Sequence, residues 1–222
     1  MATVPTLTGE QVLAADLPDW RLLLTRLHAR FVVDDYRTAT ELTARVAAAA
    51  TELDHHPELD LRFGALRVVT WSHDANGVTE RDVELARRVS ALAAELGARA
   101  QPRTVQALEI ALDTPDHAAV KPFWRAVLGM EDGPLPDDLA DPATGLPGMW
   151  FQECEPEPAD APAGRMRFHL DITVPHDVAL GRVDAALAAG GRLVSDAAAK
   201  AFWVLEDAEG NKACVCTWQD RS

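Results

Sequence analysis

The most constraining feature of this chain is an internal repeat in its second half. "ALEIALDTPDHAAVKPFWRAVLGM", from Ala107, reads as strand, helix and glycine, and "FHLDITVPHDVALGRVDAALAAGG", from Phe168, repeats that plan. Short strand-like segments follow each copy: "GMWFQEC" in the first, "AFWVLED" and "KACVCTW" in the second. Two copies of one supersecondary unit restrict this half to architectures that pair equivalent modules, which says more than any single segment does.

The first half follows a different plan. Thr8, with Glu10 and Gln11, opens a short helix, and "WRLLLTRLHARFVV" reads as two strands with a turn near Thr25 and Arg26. Ala39, Leu42, Val46, Ala50 and Leu53 step by three and four, which predicts a helix from Tyr36 to Leu53. Pro57 disfavours helical geometry at His56, so that helix ends near Asp54. "ELDLRF" and "ALRVVTWS" flank Gly64 as a hairpin, and a second long helix starts behind Thr79, with Asp82 near its positive end. Strands arriving in adjacent pairs between helices predict an α+β fold: a four-stranded antiparallel sheet with helices on one face. Gly97 caps the last helix and Pro102 follows a polar interval, so the expected division is 1–100 and 101–222.

Composition removes several functions. The 222 residues are 48% hydrophobic and 25% charged, which suits a globular protein. A balance of 21 basic to 35 acidic residues, formally −14, opposes binding to a phosphate backbone. No apolar run approaches the roughly 20 residues that cross a bilayer, and "MATVPTLTGEQ" lacks the basic and apolar regions of a signal peptide. Cys154, Cys214 and Cys216 are too few for a disulfide framework. A reduced cytoplasmic protein without nucleic-acid or membrane partners is expected.

Chemistry concentrates in "TELDHHPELDLRFGALRVVTWSHD", where His55 and His56 follow a helix and His73 ends a hairpin strand. Hairpin pairing brings these imidazoles toward one rim of the sheet, and Asp82 could orient one of them. Imidazoles near neutral pKa can give one proton and take another, as an elimination of water requires. A histidine pair after a helix also serves as a plain polar flank, and His with Asp can bind zinc. Spacing alone does not choose.

"ELDHHPE", the strand ending "SHD" and "GVTERDVELA" resemble the pterin-4a-carbinolamine dehydratases over about residues 8–96. The resemblance implies dehydration of 4a-hydroxytetrahydropterin to quinonoid dihydropterin, in tetrahydrobiopterin recycling, without metal or organic cofactor. It implies His55, His56 and His73 as catalytic histidines, Asp82 as the supporting acid, and Glu52, Pro57, Ser72 and Asp74 around the pterin. One histidine would take the N5 proton while another assists departure of the 4a hydroxyl. A homo-oligomer, dimer or tetramer, is implied too. Two positions depart from the family pattern: Thr51 stands where an acidic residue is common, and Leu59 where an aromatic ring often stacks.

"FHLDITV" and "WVLEDAEGNKACVC" make the second half, about residues 104–218, similar to glyoxalase-like domains of the vicinal oxygen chelate superfamily. That implies paired βαβββ modules around a shared cleft, with metal ligands on the first and last strand of each. His169 occupies a first-strand position and Glu153 an end-strand position. The counterpart of His169 falls near Ala107, and Cys214 stands where Glu is expected, so the ligand set is incomplete and no metal is expected. By residue type alone, His169 also reads as a partly buried strand histidine and Cys214 and Cys216 as small apolar filler. "DAEGN" reads as a turn, and Trp150 and Trp203 as core or cleft residues. The combined expectation is an active dehydratase fused to a glyoxalase-like domain. The alternatives are a non-enzymatic dimerisation or binding module, or a small-molecule binder or metalloenzyme acting through the second domain.

Overall fold

Local capping starts the first helix, α1 (Gly9–Ala14): the Thr8 side chain accepts from Gln11 N at 3.3 Å, and the Gln11 side chain accepts from Thr8 N at 2.8 Å. The structure, a computed structural model, describes residues 4–141, 145–155, 169–174, 178–217 and 219–220. It divides into two units, Met1–Ala107 and Leu108–Ser222. The division lies a little past the expected 100/101, because residues following the last helix still bond to the first sheet. Phe168 and Trp218, at the ends of two expected strands, lie outside the described residues.

In the first unit β1 (Trp20–Leu23) and β2 (Arg26–Val32) form a hairpin, followed by α2 (Tyr36–Glu52), β3 (Glu58–Arg62), β4 (Ala65–Thr70), α3 (Glu80–Glu95) and β5 (Arg99–Ala100). The first turn falls at Leu24 and Thr25 rather than Thr25 and Arg26, because Arg26 already pairs with Leu23; Leu24 takes a left-handed φ of 54°. Gly64 turns the second hairpin at φ 69°, where a Cβ would stand 3.3 Å from the Val33 carbonyl oxygen. Strand order is β1-β2-β4-β3, all antiparallel. The sequence predicts four strands and the structure has five: β5 adds to β2 at Phe31 and Val32. Two residues carry no periodic signal, so this strand was invisible to pattern.

Alternation sorts the faces of that sheet. Leu27, Ala29 and Phe31 of β2, Leu66 and Val68 of β4, and Leu59 and Leu61 of β3 pack with Leu42, Val46 and Ala50 of α2 and Leu85, Val89 and Ala93 of α3. Each fully buried Leu, Val or Phe contributes about 1.5–3 kcal/mol. The other face carries Arg26, His28, Arg67 and Trp71, whose parity is opposite. Arg26 Cζ lies 3.8 Å from the centre of the Trp71 ring, and His28 Nδ1 is 3.2 Å from Arg67 Nη2.

The second unit repeats one plan twice. β6 (Glu109–Thr114), α4 (His117–Leu128), β7 (Glu131–Asp132), β8 (Asp138–Ala140) and β9 (Gly148–Glu153) form the first module. β10 (Leu170–Thr173), α5 (Ala179–Ala188), β11 (Arg192–Ser195), β12 (Phe202–Glu206) and β13 (Lys212–Cys216) form the second. The sheet orders match, β6-β9-β8-β7 and β10-β13-β12-β11, and each first strand runs parallel to its module's last. One core joins the modules, including Phe123 and Trp124 from α4, Val183 from α5, Met149 and Phe151 from β9, and Leu205 from β12. Trp203 belongs to this core, whereas Trp150 is half-buried with parity opposite to Met149 and Phe151.

Two polar ties hold the second unit. The "DAEGN" turn closes around buried Asp207, which accepts from Trp124 Nε1 at 3.0 Å, Asn211 N at 2.8 Å and Glu209 N at 3.0 Å. Gly129 ends α4 at φ 69°, and Arg182 of α5 donates to the Val127 carbonyl at 2.9 Å. A Cβ on Gly129 would come within 2.7 Å of that guanidinium.

His28 makes stability pH-dependent. Burial, assisted by the charges of Arg67 and Arg26, lowers its pKa from 6.5 to about 4. Between those values the unfolded chain binds the proton and the folded chain does not, so stability is complete above pH 6.5 and falls as pH drops toward 4. His28→Gln should reduce the acid-side fall in melting temperature over that interval, measured by calorimetry from pH 4 to 7.

Candidate active site

α2 ends in a way that sends His55 inward. Asp54 takes a left-handed φ of 47°, Asp54 N donates to the Thr51 carbonyl at 3.2 Å, and His55 N donates to the Ala50 carbonyl at 3.0 Å. This is the Schellman arrangement, with Asp54 in the place glycine usually takes. His55 is buried, 5% exposed, while neighbouring His56 is exposed.

α3 begins with Thr79 as N-cap, and its third residue, Asp82, accepts from Thr79 N at 2.8 Å to complete a capping box. Asp82 is fully buried. His55 Nε2 lies 2.7 Å from Asp82 Oδ1, Thr70 Oγ1 donates to the same oxygen at 2.7 Å, and Ser72 Oγ donates to Oδ2 at 2.9 Å. These donors, with the positive end of α3, compensate the lost hydration of a buried carboxylate. An ionised carboxylate only accepts, and the Thr70 hydroxyl proton is committed to it, so the network assigns the His55 proton to Nε2. Nδ1 is then the ring's free lone pair.

His73 lies beyond β4, exposed, with its ring centre 4.2 Å from that of Trp71 and tilted by 31°. Trp71 is buried beneath it and in contact with Arg26, which Glu58 approaches at 3.6 Å. Thr70 and Ser72 alternate inward to Asp82, while Trp71 and His73 take the opposite parity. Glu58 pairs with Val69, so the residues before β3 face those after Val69; the approach of His55 Nε2 to Thr70 Oγ1, at 3.2 Å, follows from that register. The three histidines thus gather at one end of the hairpin, one inside and two at the surface.

Several expected contacts fall elsewhere. Glu52 is exposed and pairs with Arg88 at 3.1 Å, lining a shallow groove between α2 and α3 with Ala48, Ala49 and Ala91 rather than the histidines. Ser72 is buried on Asp82, so it supports the carboxylate instead of facing a ligand. Asp74 is exposed, and the Arg81 guanidinium, bonded at 2.5 Å, holds its carboxyl below the usual range. Pro57 is half-buried, leading into β3. Thr51 is exposed and its hydroxyl donates to the Ala47 carbonyl. Leu59 packs into the core of the first unit, so a ring at that position would join the core, not an open surface. Thr70 was missed by sequence reasoning, and Ser72, expected beside the pterin, bonds Asp82 instead. Two hydroxyls at the inward parity of an apolar strand were the available signal.

In the second unit, His169 precedes β10 and is more than half exposed, not a partly buried strand histidine, and its Nε2 stands 3.2 Å from Asp171 Oδ1. Glu153 shares the parity of buried Met149 and Phe151, so it does not lie on the face opposite the core where a shared ligand set would need it. Cys214 and Cys216 are buried. Burial, then the hydrogen bond to Asp171, pushes the Cys214 thiol up to about 12.

Comparisons with known proteins agree with this division. Residues 5–92 match the family described as Pterin 4 alpha carbinolamine dehydratase. A Rhodopseudomonas palustris protein named "Putative pterin-4-alpha-carbinolamine dehydratase" is 42% identical over 100 residues, which are 43% of this chain and 99% of that protein. The chain belongs to the pterin-4-alpha-carbinolamine dehydratase family. A protein of the same name from Nocardia farcinica is 36% identical over 93 residues, covering 41% of this chain and 98% of that relative. The dehydratase region is followed by a glyoxalase-like domain at residues 109–216. A solved glyoxalase/bleomycin resistance protein/dioxygenase family enzyme from Burkholderia phytofirmans is 20% identical, with a TM-score of 0.38, covering 49% of this chain and 95% of that one. Among the described residues, no helix is long and apolar enough to cross a membrane.

Asp82→Ala should destabilise the first unit by about 3–5 kcal/mol, because it strands His55 and three further donors in the interior. Glu52→Ala, breaking an exposed pair, should cost less than about 1 kcal/mol. Urea unfolding of the two variants beside the native chain checks both values.

Proposed function

We propose that the first unit dehydrates 4a-hydroxytetrahydropterin to quinonoid dihydropterin by histidine acid–base catalysis. The observation that carries this reading is the His55–Asp82 pair, which fixes one tautomer and leaves Nδ1 as a proton acceptor. In the reaction a base removes the N5 proton, the C4a–N5 double bond forms, the C4a–O bond breaks, and the departing hydroxyl takes a proton to leave as water. Proton removal and proton donation each need an acid or base side chain within reach of the substrate, and His56 and His73 stand exposed at the same end of the hairpin. Trp71 beneath His73 limits that ring's freedom. Membership in the dehydratase family supports a pterin as the substrate class.

Purified chain should accelerate the dehydration over the spontaneous reaction. His55→Ala should lower kcat by about 10²–10⁴-fold. His56→Ala and His73→Ala, measured separately at constant pH, should lose unequal amounts, the larger loss marking the proton donor. Folded native chain with no acceleration, or a His55→Ala variant with native kcat, would overturn the reading.

A further inference from the structure

Strand parity and register place three different donors together in the second unit. On β10, Leu170 and Ile172 pack against the core, so His169 and Asp171 lie on the opposite face. β13 runs parallel beside it with Asp171 opposite Cys214, while Ala213 and Val215 enter the core. The His169 nitrogen, an Asp171 oxygen and the Cys214 sulfur lie within 4.8 Å of one another. Asp171 already joins the other two, pairing with His169 and accepting from the Cys214 thiol.

We propose that His169, Asp171 and Cys214 bind one divalent ion of the zinc type. Tetrahedral zinc bonds nitrogen and oxygen at about 2.0–2.1 Å, so two such ligands stand about 3.3 Å apart. His169 Nε2 and Asp171 Oδ1 are already 3.2 Å apart. With a Zn–S bond of about 2.3 Å the sulfur stands about 3.6 Å from the other two ligand atoms, so closing the site moves Cys214 Sγ by at most about 1.3 Å from the present separation of within 4.8 Å. On binding, the S–H bond breaks, the sulfur–metal bond forms, and the proton leaves to water. A nitrogen, oxygen and sulfur set favours Zn²⁺ or Co²⁺ over Mg²⁺ and Ca²⁺, which prefer oxygen alone. Three protein ligands leave the fourth position for water or an oxygen-bearing small molecule, and the exposure of His169 and Asp171 opens that side to solvent. All three donors come from one module, so the ion does not depend on the Glu missing from β13 or on any ligand from the first module.

The test is titration of chelator-stripped full-length chain with CoCl₂, followed by absorbance, with equilibrium dialysis against ZnCl₂ for stoichiometry. One Co²⁺ per chain should bind with a thiolate-to-cobalt charge-transfer band that Zn²⁺ abolishes and Mg²⁺ does not. Cys214→Ser should remove the band. Asp171→Asn and the surface substitution His169→Ala, which leaves the core untouched, should each weaken binding by roughly ten-fold or more. Cys154→Ser and the His55→Ala/His56→Ala double variant should keep the band. No band in the native chain, a band that survives Cys214→Ser, native affinity in His169→Ala, or loss of the band in the double histidine variant would each overturn the proposal.

Discussion

The first unit is organised around one buried negative charge. The carboxylate of Asp82 ties together the start of α3, the end of β4 and the segment leaving α2, three pieces of chain that no continuous element connects. An isolated carboxylate in such a place would cost several kcal/mol in lost hydration. The His55 ring and three further donors around its two oxygens replace that water, and each is supplied by a residue whose backbone is already fixed by the sheet or by a helix cap. The geometry of His55 is therefore inherited from the fold rather than from contacts made with a ligand.

That inheritance separates the surroundings of the three histidines. His55 is restrained at the nitrogen facing the interior, which leaves the other nitrogen for the proton transfer proposed above. His73 is restrained by an aromatic surface, which limits tilt without committing either nitrogen. His56 lies exposed beside them. A site that must both take and give a proton benefits from such unequal restraint, because the groups then differ in environment although they share a side chain.

Much of this was readable in order along the chain. Thr8 and Thr79 announce their helices through residues three positions on, and the steps from Ala39 to Leu53 give α2. The HHP triplet with the later SHD gives the family and, through it, the chemistry proposed for the site. What pattern could not decide was which of two adjacent histidines turns inward. That depends on the left-handed conformation of Asp54, a residue that signals no such thing. It also could not tell that Glu52 points to Arg88 or that Leu59 points into the core, since both follow from the parity of elements whose ends are set by tertiary contacts. In the second unit the repeat announced both modules. Parallel pairing of β10 with β13 is a contact between distant segments, so the meeting of Asp171 with Cys214 had no local trace.

The contact between Gly129 and Arg182 has a consequence for how such a duplicated unit can change. A guanidinium from the second copy stands where any side chain at position 129 of the first would have to stand, and it caps the helix that this glycine ends. Neither copy can then drift alone. Enlarging position 129 expels the arginine, and shortening the arginine uncovers the Val127 carbonyl. The two halves share one plan and yet are not interchangeable: exchanging their order or excising one would leave a gap that the other now fills.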